Sequence, residues 1–361
     1  MAESLPDVPH KGRGALSNRT GRYEPYARVR IDDGWADPGT EAEPPPLSTT
    51  VGKDSSRRVI ARNRSPDVPF DRSINPYRGC EHGCVYCFAR PTHAWLGLSP
   101  GLDFETKLFA KHDAARLLEA ELAAPSYQPA VIALGANTDP YQPVERRLGI
   151  TRQILEVLAR ARHPVAVVTK SQLVLRDLDI LSAMGRARLA RVYVSVTTLD
   201  PALARRMEPR ATSPAGRIET IRGLSQAGVA TGVLAAPMIP ALNDGELEAI
   251  LKACAEAGAG SAGYVLLRLP LEIKDLFIEW LAAHFPDRKD RVLGLLREMR
   301  GGRLYDPAWG RRMKGGGIYA DLLERRFGLA CTRLGLDRRD WNLDTSRFRR
   351  PALKAEQLGL F

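Results

Sequence analysis

The feature that most constrains the fold is a repeated alternation of short β-branched segments with stretches of helical period. Six strands are predicted in the middle of the 361-residue chain, and each of the first five is followed by a predicted helix. Such alternation favours a parallel sheet with helices packed outside it. Six repeats fall short of a closed eight-fold barrel, so the sequence predicts an α/β protein built on an open, partial (β/α)6 barrel. The predicted strands are SINPY (73–77), AVIALG (130–135), VAVVTK (165–170), RVYVSV (191–196), TGVLAA (231–236) and GYVLLR (263–268).

The predicted helices between these strands carry end signals in their sequences. Pro214 suits the first turn of a helix and Asp244 suits an N-cap, while Gly228 and Gly258 suit the ends of the same two helices. These signals predict where two of the connecting helices begin and end. The five predicted helices cover residues 113–123, 150–161, 175–184, 214–228 and 244–258.

Composition divides the chain into three parts. Residues 1–48 are rich in Pro, Gly and charge, which predicts a disordered or extended N-terminal arm. Residues 49–285 hold the predicted barrel. Residues 286–361 carry 18 Lys and Arg against 10 Asp and Glu, which accounts for +8 of the formal charge of +11. This C-terminal region is predicted to be mostly helical with a flexible tail, and its charge indicates either a solvated Arg-rich surface or a footprint for a phosphate backbone.

The ends of the chain and its hydropathy bear on localisation. No apolar run approaches the roughly 20 residues that span a bilayer. The N-terminal sequence MAESLPDVPHKGRG lacks the apolar segment of a secretory signal. We therefore expect a cytoplasmic protein with no membrane partner, whose thiols stay reduced and serve metal binding or catalysis before disulfides.

Three of the five cysteines lie in RGCEHGCVYCFARP (78–91), directly after the first predicted strand. Functional groups of such barrels lie at the carboxyl ends of the strands. Cys80, Cys84 and Cys87 form a C-x3-C-x2-C pattern, which can hold three corners of a [4Fe-4S] cluster and leave its fourth iron open. The alternative is a zinc site completed by His82 or His93.

The pattern C-x3-C-x-aromatic-C after the first strand of a partial barrel resembles the radical S-adenosylmethionine (SAM) superfamily. Tyr86 occupies the aromatic position, where the resemblance places a ring near the adenine of SAM. The resemblance implies two cofactors, a [4Fe-4S] cluster and SAM chelated to its open iron. It also implies reductive cleavage of SAM to methionine and a 5′-deoxyadenosyl radical, with electrons from a reducing partner such as flavodoxin or ferredoxin.

The ends of the later strands refine this resemblance. The stretches NTDPYQPVE (137–145), TKS (169–171) and SVTTLD (195–200) resemble the branch that contains spore photoproduct lyase and DNA-repair-photolyase-like proteins. That likeness implies DNA or another nucleic acid as the substrate.

The same likeness implies roles for individual residues in binding SAM. Lys170 would pair with the SAM carboxylate, Ser195 would hydrogen-bond its polar groups, and Arg217 is a further candidate for the carboxylate. Lys170 and Ser195 could instead be solvated residues at strand ends. Further possible site residues are Asn137, Thr138 and Asp139.

Two nearby acidic residues also have structural interpretations. Asp139 precedes Pro140 and could simply start a helix. Glu208 and Arg210, in RRMEPRA, are predicted to pair with one another.

Two departures from the branch limit the comparison. The family's GGE signature after the second strand is replaced by GANTD (135–139). No cysteine follows that strand, where spore photoproduct lyases carry the thiol that returns hydrogen to the product. Cys254 lies in a helical pattern that predicts buried packing, and Cys331 lies in the basic region. The sequence therefore does not favour repair of the spore photoproduct itself.

The last five residues, QLGLF (357–361), resemble the peptide by which bacterial polymerases and repair proteins bind the DNA sliding clamp. In that resemblance Gln357 anchors by hydrogen bonds, while Leu360 and Phe361 fill an apolar pocket. The alternative is a tail that folds back and buries Leu358 and Phe361 on its own barrel.

Three functions remain open on the sequence. The first is a radical SAM enzyme of lyase or transferase type that acts on nucleic acid, in the manner of DNA-repair photolyases. The second is a radical SAM enzyme that modifies a protein, a peptide or a small molecule. The third is a non-enzymatic, metal-binding interaction protein.

Overall fold

The computed structural model of the protein describes residues 8–28, 46–337 and 343–352. The predicted clamp-binding residues Gln357, Leu358, Leu360 and Phe361 lie outside these ranges. Within them the strands form two sheets. The strands are β1 (Thr50–Lys53), β2 (Ile60–Arg62), β3 (Arg72–Ile74), β4 (Tyr77–Arg78), β5 (Lys107–Ala110), β6 (Ile132–Leu134), β7 (Val165–Thr169), β8 (Ala190–Ser195), β9 (Ala230–Met238) and β10 (Ser261–Leu266).

The helices mostly follow the strands one by one. They are α1 (Leu102–Thr106), α2 (Ala114–Ala123), α3 (Glu145–Leu148), α4 (Ile150–Arg160), α5 (Leu178–Arg186), α6 (Pro201–Met207), α7 (Pro214–Gln226), α8 (Leu247–Glu256), α9 (Ile273–His284), α10 (Pro286–Glu298), α11 (Arg311–Lys314) and α12 (Ile318–Leu334). Among the described residues, none of the helices is long and apolar enough to cross a membrane.

The larger sheet has seven strands in the order β10-β9-β8-β7-β6-β3-β2. Strands β3, β6, β7, β8, β9 and β10 are parallel to their neighbours and follow chain order. β2 adds an antiparallel edge beside β3. The predicted six-stranded partial barrel is therefore confirmed, with one additional antiparallel strand. A second sheet, in the order β1-β5-β4, lies outside the barrel.

The central strands are apolar because helices and barrel interior cover both of their faces. All six residues of β8 are buried. On α4 the buried residues Ile150, Ile154, Leu155 and Leu158 recur at helical spacing and face the sheet.

The first predicted strand, 73–77, is divided between the two sheets. Arg72–Ile74 joins the barrel, whereas Tyr77–Arg78 pairs antiparallel with β5. Pro76 lies between the two pieces and has no backbone N–H to donate to a ladder. The cysteines therefore follow a strand of the small sheet directly, and the first barrel strand at a short remove.

Three of the four predicted helix-end signals have the expected places. Pro214 is the first residue of α7. Gly228 and Gly258 adopt positive φ angles of 76° and 100° just beyond α7 and α8. The prediction for Asp244 is wrong, because it begins a 3-10 turn (Asp244–Glu246) before α8 and accepts a hydrogen bond from the hydroxyl of Tyr319.

Residues 8–28 of the N-terminal arm form turns and irregular structure. This segment contains no helix or strand. Ala15 and Leu16 are nevertheless buried, 1% and 5% exposed. The backbone N–H groups of Gly14 and Ala15 donate to the Glu105 carboxylate, with N–O distances of 3.0 and 2.9 Å. The arm is thus held against the barrel by buried contacts.

The described residues after 285 share the apolar core of the barrel. Leu296 of α10, Leu323 of α12 and Leu336 are buried in the same cluster of side chains as the barrel strands. Asp337 forms a β-bridge with Ser261 of β10. At the other edge, the ring of Phe348 lies 5.6 Å from that of Tyr127. The boundary predicted at residue 285 therefore does not coincide with a break in packing.

Candidate cluster and cofactor site

The three clustered cysteines line one cavity at the carboxyl end of the barrel strands. Its volume is about 530 Å³. Its wall is formed by residues of the six parallel strands or of the loops that follow them, namely β3, β6, β7, β8, β9 and β10. Cys80 and Cys84 are buried, 7% and 8% exposed, and Cys87 is partly buried. The fold therefore brings the predicted cluster ligands to the position where parallel barrels carry their chemistry.

Burial raises the pKa of all three thiols and so disfavours their thiolate forms unless a metal is bound. All three cysteines are unbridged. Burial, together with the charge of Asp139, raises the pKa of Cys80 well above its usual range, and burial with Glu208 does the same for Cys84. Metal binding replaces the proton and stabilises a thiolate that burial otherwise disfavours. These sulfurs are therefore suited to bind metal as thiolates.

The zinc alternative finds no support in the described residues. No three His, Cys, Asp or Glu side chains there converge as ligands of a single ion. A four-iron cluster needs no such convergence, because each thiolate binds a different iron. His93 does not line the cavity, and its Nε2 lies 2.9 Å from the carbonyl oxygen of Lys107. His82 does line the cavity, with Nδ1 3.4 Å from Asp139 Oδ2.

A buried ion pair that the sequence analysis missed supports the cysteine loop from behind. Arg90 donates from Nε to the carbonyl of Cys84 at 2.8 Å and from Nη2 to that of Gly83 at 3.1 Å. Nη2 also contacts the Glu105 carboxylate at 2.5 Å, and both side chains are fully buried. Because Glu105 also accepts from Gly14 and Ala15, one network joins the N-terminal arm to the cysteine loop.

Lys170 and Ser195, at the ends of the adjacent strands β7 and β8, lie on the cavity wall together with Tyr86 of the cysteine loop. Lys170 Nζ donates to Ser195 Oγ at 2.9 Å and lies 5.9 Å from the centre of the Tyr86 ring. Burial lowers the pKa of Lys170, while the nearby sulfur of Cys84 acts to raise it. All three side chains line the cavity beside the thiols, as the predicted contacts with SAM require.

Arg217 has a different place from the one predicted. It does not line the cavity. Its guanidinium donates to the carbonyls of Thr212 and Ser195, at 2.7 and 3.1 Å, and pairs with the Glu208 carboxylate. The donors of Arg217 are directed at protein acceptors beneath the site, so its role toward the SAM carboxylate stays a prediction. The sequence cannot show this arrangement, because the direction of the Arg217 side chain depends on Glu208 and on the carbonyl of Ser195.

The predicted pair of Glu208 with Arg210 is also wrong. Arg210 Nη1 instead lies 3.1 Å from Glu81 Oε1, in the cysteine loop. Glu208 is fully occupied by Arg217 and by the hydroxyl of Thr197, which donates at 2.7 Å. Its Oε1 lies 4.0 Å from Lys170 Nζ, so Glu208 balances two cations beneath the cavity.

The stretch after β6 contributes two of its three predicted residues to the cavity. Asn137 and Asp139 line it, whereas the buried Thr138 donates to the carbonyl of Tyr77 at 2.7 Å and does not. Burial alone would raise the pKa of Asp139, but His82 and the backbone N–H groups of Lys170 and Tyr141 outweigh it and lower the pKa. Asp139 is followed by turns and not directly by a helix, since α3 begins at Glu145.

Comparison with known families decides the identity of this site. Residues 74–254 match the sequence profile of the radical SAM superfamily, and this region contains the three cysteines, Lys170 and Ser195. The chain belongs to the radical SAM superfamily. The resemblance stated from the cysteine pattern is therefore confirmed.

Relatives of this radical SAM protein are found in bacteria, archaea and a virus. An uncharacterized protein of Mycobacterium tuberculosis is 38% identical over 242 residues, which covers 66% of this chain and 71% of that protein. An uncharacterized protein of Methanocaldococcus jannaschii is 27% identical over 194 residues, which covers 54% of this chain and 70% of that protein. An uncharacterized protein of Acidianus two-tailed virus is 29% identical over 195 residues, which covers 52% of this chain and 64% of that protein.

Solved structures of spore photoproduct lyase share the fold of this radical SAM protein. One mutant of that enzyme superposes with a TM-score of 0.55 at 16% identity, covering 79% of this chain and 78% of the other. Another, with bound AdoMet and dinucleoside spore photoproduct, gives a TM-score of 0.51 at 15% identity over the same shares. The likeness in fold extends beyond the region matched by the superfamily profile.

The radical SAM superfamily uses a [4Fe-4S] cluster and SAM, and the residues of this cavity fit both. Three unbridged thiols would hold the cluster. Lys170 is the cation that lines the cavity next to these thiols, with Ser195 and the Tyr86 ring at its side. The set thus offers thiolates for iron, a cation and a hydroxyl for the carboxylate and amino groups of SAM, and an aromatic face for its adenine.

Several residues of the cavity were not singled out from the sequence. Phe88, Arg268, Arg312 and Met313 form a further part of the wall, next to the end of β10. Arg268 could have been found from its position, because like Lys170 it is a charged residue at the end of a predicted strand. Arg312 could not, since nothing local in its sequence places it near the barrel.

Proposed function

We propose that this protein is a radical SAM enzyme that acts on nucleic acid. The observation that carries the proposal is one continuous cavity that contains the cysteine thiols, the predicted SAM contacts and a further wall outside them. When bound, the cluster would supply one electron to SAM, whose cleavage yields methionine and a 5′-deoxyadenosyl radical able to abstract hydrogen from a substrate.

This chain's own residues would position the reactants. Lys170 would hold the SAM carboxylate by a charge-assisted hydrogen bond, with Ser195 beside it to accept or donate to its polar groups. Arg217 and Glu208 would fix this strand end from below, because both are buried and bonded to each other. Arg90 would hold the cysteine loop through its carbonyl oxygens. The enzyme also needs a reducing partner, for which flavodoxin or ferredoxin is the proposed class.

Two observations support nucleic acid as the substrate. The fold is shared with spore photoproduct lyase, whose solved structures include complexes with a dinucleoside spore photoproduct. The C-terminal region also carries a net charge of +8, which would attract a phosphate backbone. The absence of a cysteine after β6 separates this chain from the hydrogen-return chemistry expected of spore photoproduct lyases, so we propose a different lesion or nucleotide.

One observation favours a second candidate, a radical SAM enzyme acting on a peptide or small molecule. The basic segment RRMK (311–314) forms α11, and each of its three cations is paired with a carboxylate. Arg311 pairs with Asp306, Arg312 with Asp67, and Lys314 with Glu324. Charges paired in this way contribute less to an extended phosphate footprint than the sequence suggests.

Turnover under anaerobic conditions tests the proposal. The reconstituted protein is incubated with SAM and dithionite, alone and with single-stranded or ultraviolet-damaged DNA, and 5′-deoxyadenosine is measured. We expect SAM cleavage without substrate and a faster rate with nucleic acid. Cleavage that no nucleic acid stimulates or consumes would reject the nucleic-acid substrate while leaving radical SAM chemistry in place. Absence of any cleavage with a full complement of iron would reject the enzymatic proposal.

A further inference from the structure

Arg268, on the cavity wall at the end of β10, forms no direct ion pair with a carboxylate among the described residues. Arg268 lines the cavity, and its Nη1 has only the sulfur of Met313 as a hydrogen-bond acceptor, at 3.4 Å. Its Nε is buried and has no hydrogen-bond partner among the described residues. Arg268 is only partly buried, so a guanidinium with so few protein acceptors remains open to an anion that enters the cavity. The side chain is therefore suited to bind an anionic group of a ligand.

The surroundings of Arg268 contain charges of both signs, and its carboxylate neighbour is already engaged by another arginine. Arg300, 3% exposed, donates to backbone carbonyls only, including that of Leu267 at 2.7 Å. Burial and the charge of Arg268 both lower the pKa of Arg300. The nearby carboxylate, Asp67, is already paired with Arg312 and accepts from the N–H of Gly310. Asp67 therefore forms its direct ion pair with Arg312, and it attracts Arg268 without a direct ion pair.

An aromatic ring lies directly beside this charge. The guanidinium carbon of Arg268 is 5.1 Å from the centre of the Phe88 ring. Phe88 is 44% exposed and lines the same cavity, and it follows the cluster ligand Cys87 in sequence. A cation next to an exposed ring suits a ligand that joins an anion to a planar group.

We propose that Arg268 and Phe88 bind a nucleotide unit of the substrate, with the phosphate on the guanidinium and the base against the ring. The proposal rests on the proposed function, and it places the recognised nucleotide next to the cysteine loop. The planar fork of an arginine matches two phosphate oxygens, which a single ammonium group does not. A free mononucleotide and a nucleotide within a strand present the same chemistry.

Binding measurements on the reconstituted full-length protein test this site. Affinities for thymidine, thymidine monophosphate, a short single-stranded oligothymidylate and SAM are measured for wild type, Arg268→Gln and Arg297→Gln. Arg297 is an exposed residue of α10 outside the cavity, so its variant loses the same charge elsewhere. We expect Arg268→Gln to weaken binding of both phosphate-bearing ligands about tenfold or more. It should abolish the preference for the monophosphate over thymidine and leave SAM affinity unchanged, with Arg268→Lys recovering part of the loss.

Each other outcome has a defined meaning. An equal loss in Arg297→Gln, or a loss confined to SAM, would overturn the nucleotide site. So would a wild type that binds thymidine and its monophosphate equally. If wild type binds the oligonucleotide and Arg268→Gln binds it as well, this site is wrong and the nucleic-acid function stands. If only the monophosphate binds, and does so through Arg268, the site stands and the nucleic-acid function fails.

Discussion

Single residues carry the cofactor chemistry, and their surroundings differ in ways that can be measured. The thiols of Cys80, Cys84 and Cys87 line a cavity, whereas Cys254 is fully buried in the core, where burial raises its pKa to about 12. The predicted packing role of Cys254 is thus confirmed. The contrast between these cysteines makes Cys254 a natural control for the other three.

We expect Cys80→Ala, Cys84→Ala and Cys87→Ala each to prevent assembly of a four-iron cluster, because each thiolate holds a different iron. SAM cleavage should fall to background in all three variants. Cys254→Ala should keep its iron and its activity. Iron analysis and the visible absorption of anaerobically reconstituted protein measure the outcome. Full iron and full activity in any of the three variants would contradict the assigned ligands.

Lys170→Met should weaken SAM binding without removing iron. The ammonium group is the cation beside the thiols, and a charge-assisted hydrogen bond of this kind supports an expected loss of about tenfold to a hundredfold in affinity. Lys252→Met is the matched control, since Lys252 is exposed on α8. Isothermal titration with SAM on iron-loaded protein gives the affinities. Equal affinities of the two variants for SAM would show that Lys170 does not bind the cofactor.

At the scale of elements, the cysteine loop depends on a segment far away in sequence. Gly14 of the N-terminal arm passes so close to the loop that an added Cβ would lie 1.8 Å from the carbonyl oxygen of Gly83. The N–H of Gly14 also donates to Glu105, which pairs with Arg90 behind the loop. Only glycine fits this approach, so the arm and the loop must be placed together.

Gly14→Ala should displace either the arm or the loop, since no side chain can yield at a backbone carbonyl. We expect less iron per protein after reconstitution, faster cluster loss in air and a lower midpoint of thermal unfolding. Overpacking of this kind costs about 1–3 kcal/mol or more. Gly245→Ala is the control, because nothing lies within 4 Å of a Cβ at that position. A normal cluster and an unchanged midpoint in Gly14→Ala would show that the contact is not required.

On the scale of the whole molecule, the C-terminal region completes the barrel. Arg312 and Met313 line the cavity, and Arg312 joins α11 to the loop after β2 through Asp67 and Ser65. Because β10 and β2 are the two edges of the sheet, this link spans the open side of the partial barrel. The region that was predicted as a basic extension therefore forms part of the cavity wall.

Truncation after residue 285 should consequently abolish stable folding. It would remove the buried side chains of Val292, Leu293, Leu296 and Leu323 from the common core. At about 1.5–3 kcal/mol for each buried aliphatic side chain, their sum is comparable with a typical total stability of about 5–15 kcal/mol. Solubility and circular dichroism of the truncated protein, compared with full length, measure the effect. A soluble fragment with a cooperative transition at the full-length temperature would show that the barrel folds alone.

Truncation after residue 352 is the matched control, because it keeps the contacts of the described C-terminal residues. We expect this shorter protein to fold and to bind its cluster as full length does. It also isolates the proposed clamp motif, since it lacks Gln357, Leu358, Leu360 and Phe361. Binding to a bacterial sliding clamp by the full-length protein and not by this variant would support that partner, and binding by neither would remove it.

The sequence alone determined the parts of this protein that depend on neighbours along the chain. Alternating strands and helices are local periodicities, so six parallel strands in chain order could be predicted from them. The three cysteines lie within eight residues and follow a strand, so the cluster loop and the superfamily could be recognised together. Lys170 and Ser195 could be selected because both stand at strand ends, where the fold converges on one cavity.

Only the tertiary structure decided which charges face the cavity and which support it. Both Lys170 and Arg217 were candidates for the SAM carboxylate, yet Arg217 pairs with Glu208 and Lys170 reaches the cavity. The N–H groups of the arm that bind Glu105, and the carboxylate that pairs with Arg312, lie 90 or more residues away in sequence, and no local pattern specifies them. The direction of a long side chain is set by whichever buried partner lowers its free energy, and that partner exists only once distant segments have packed.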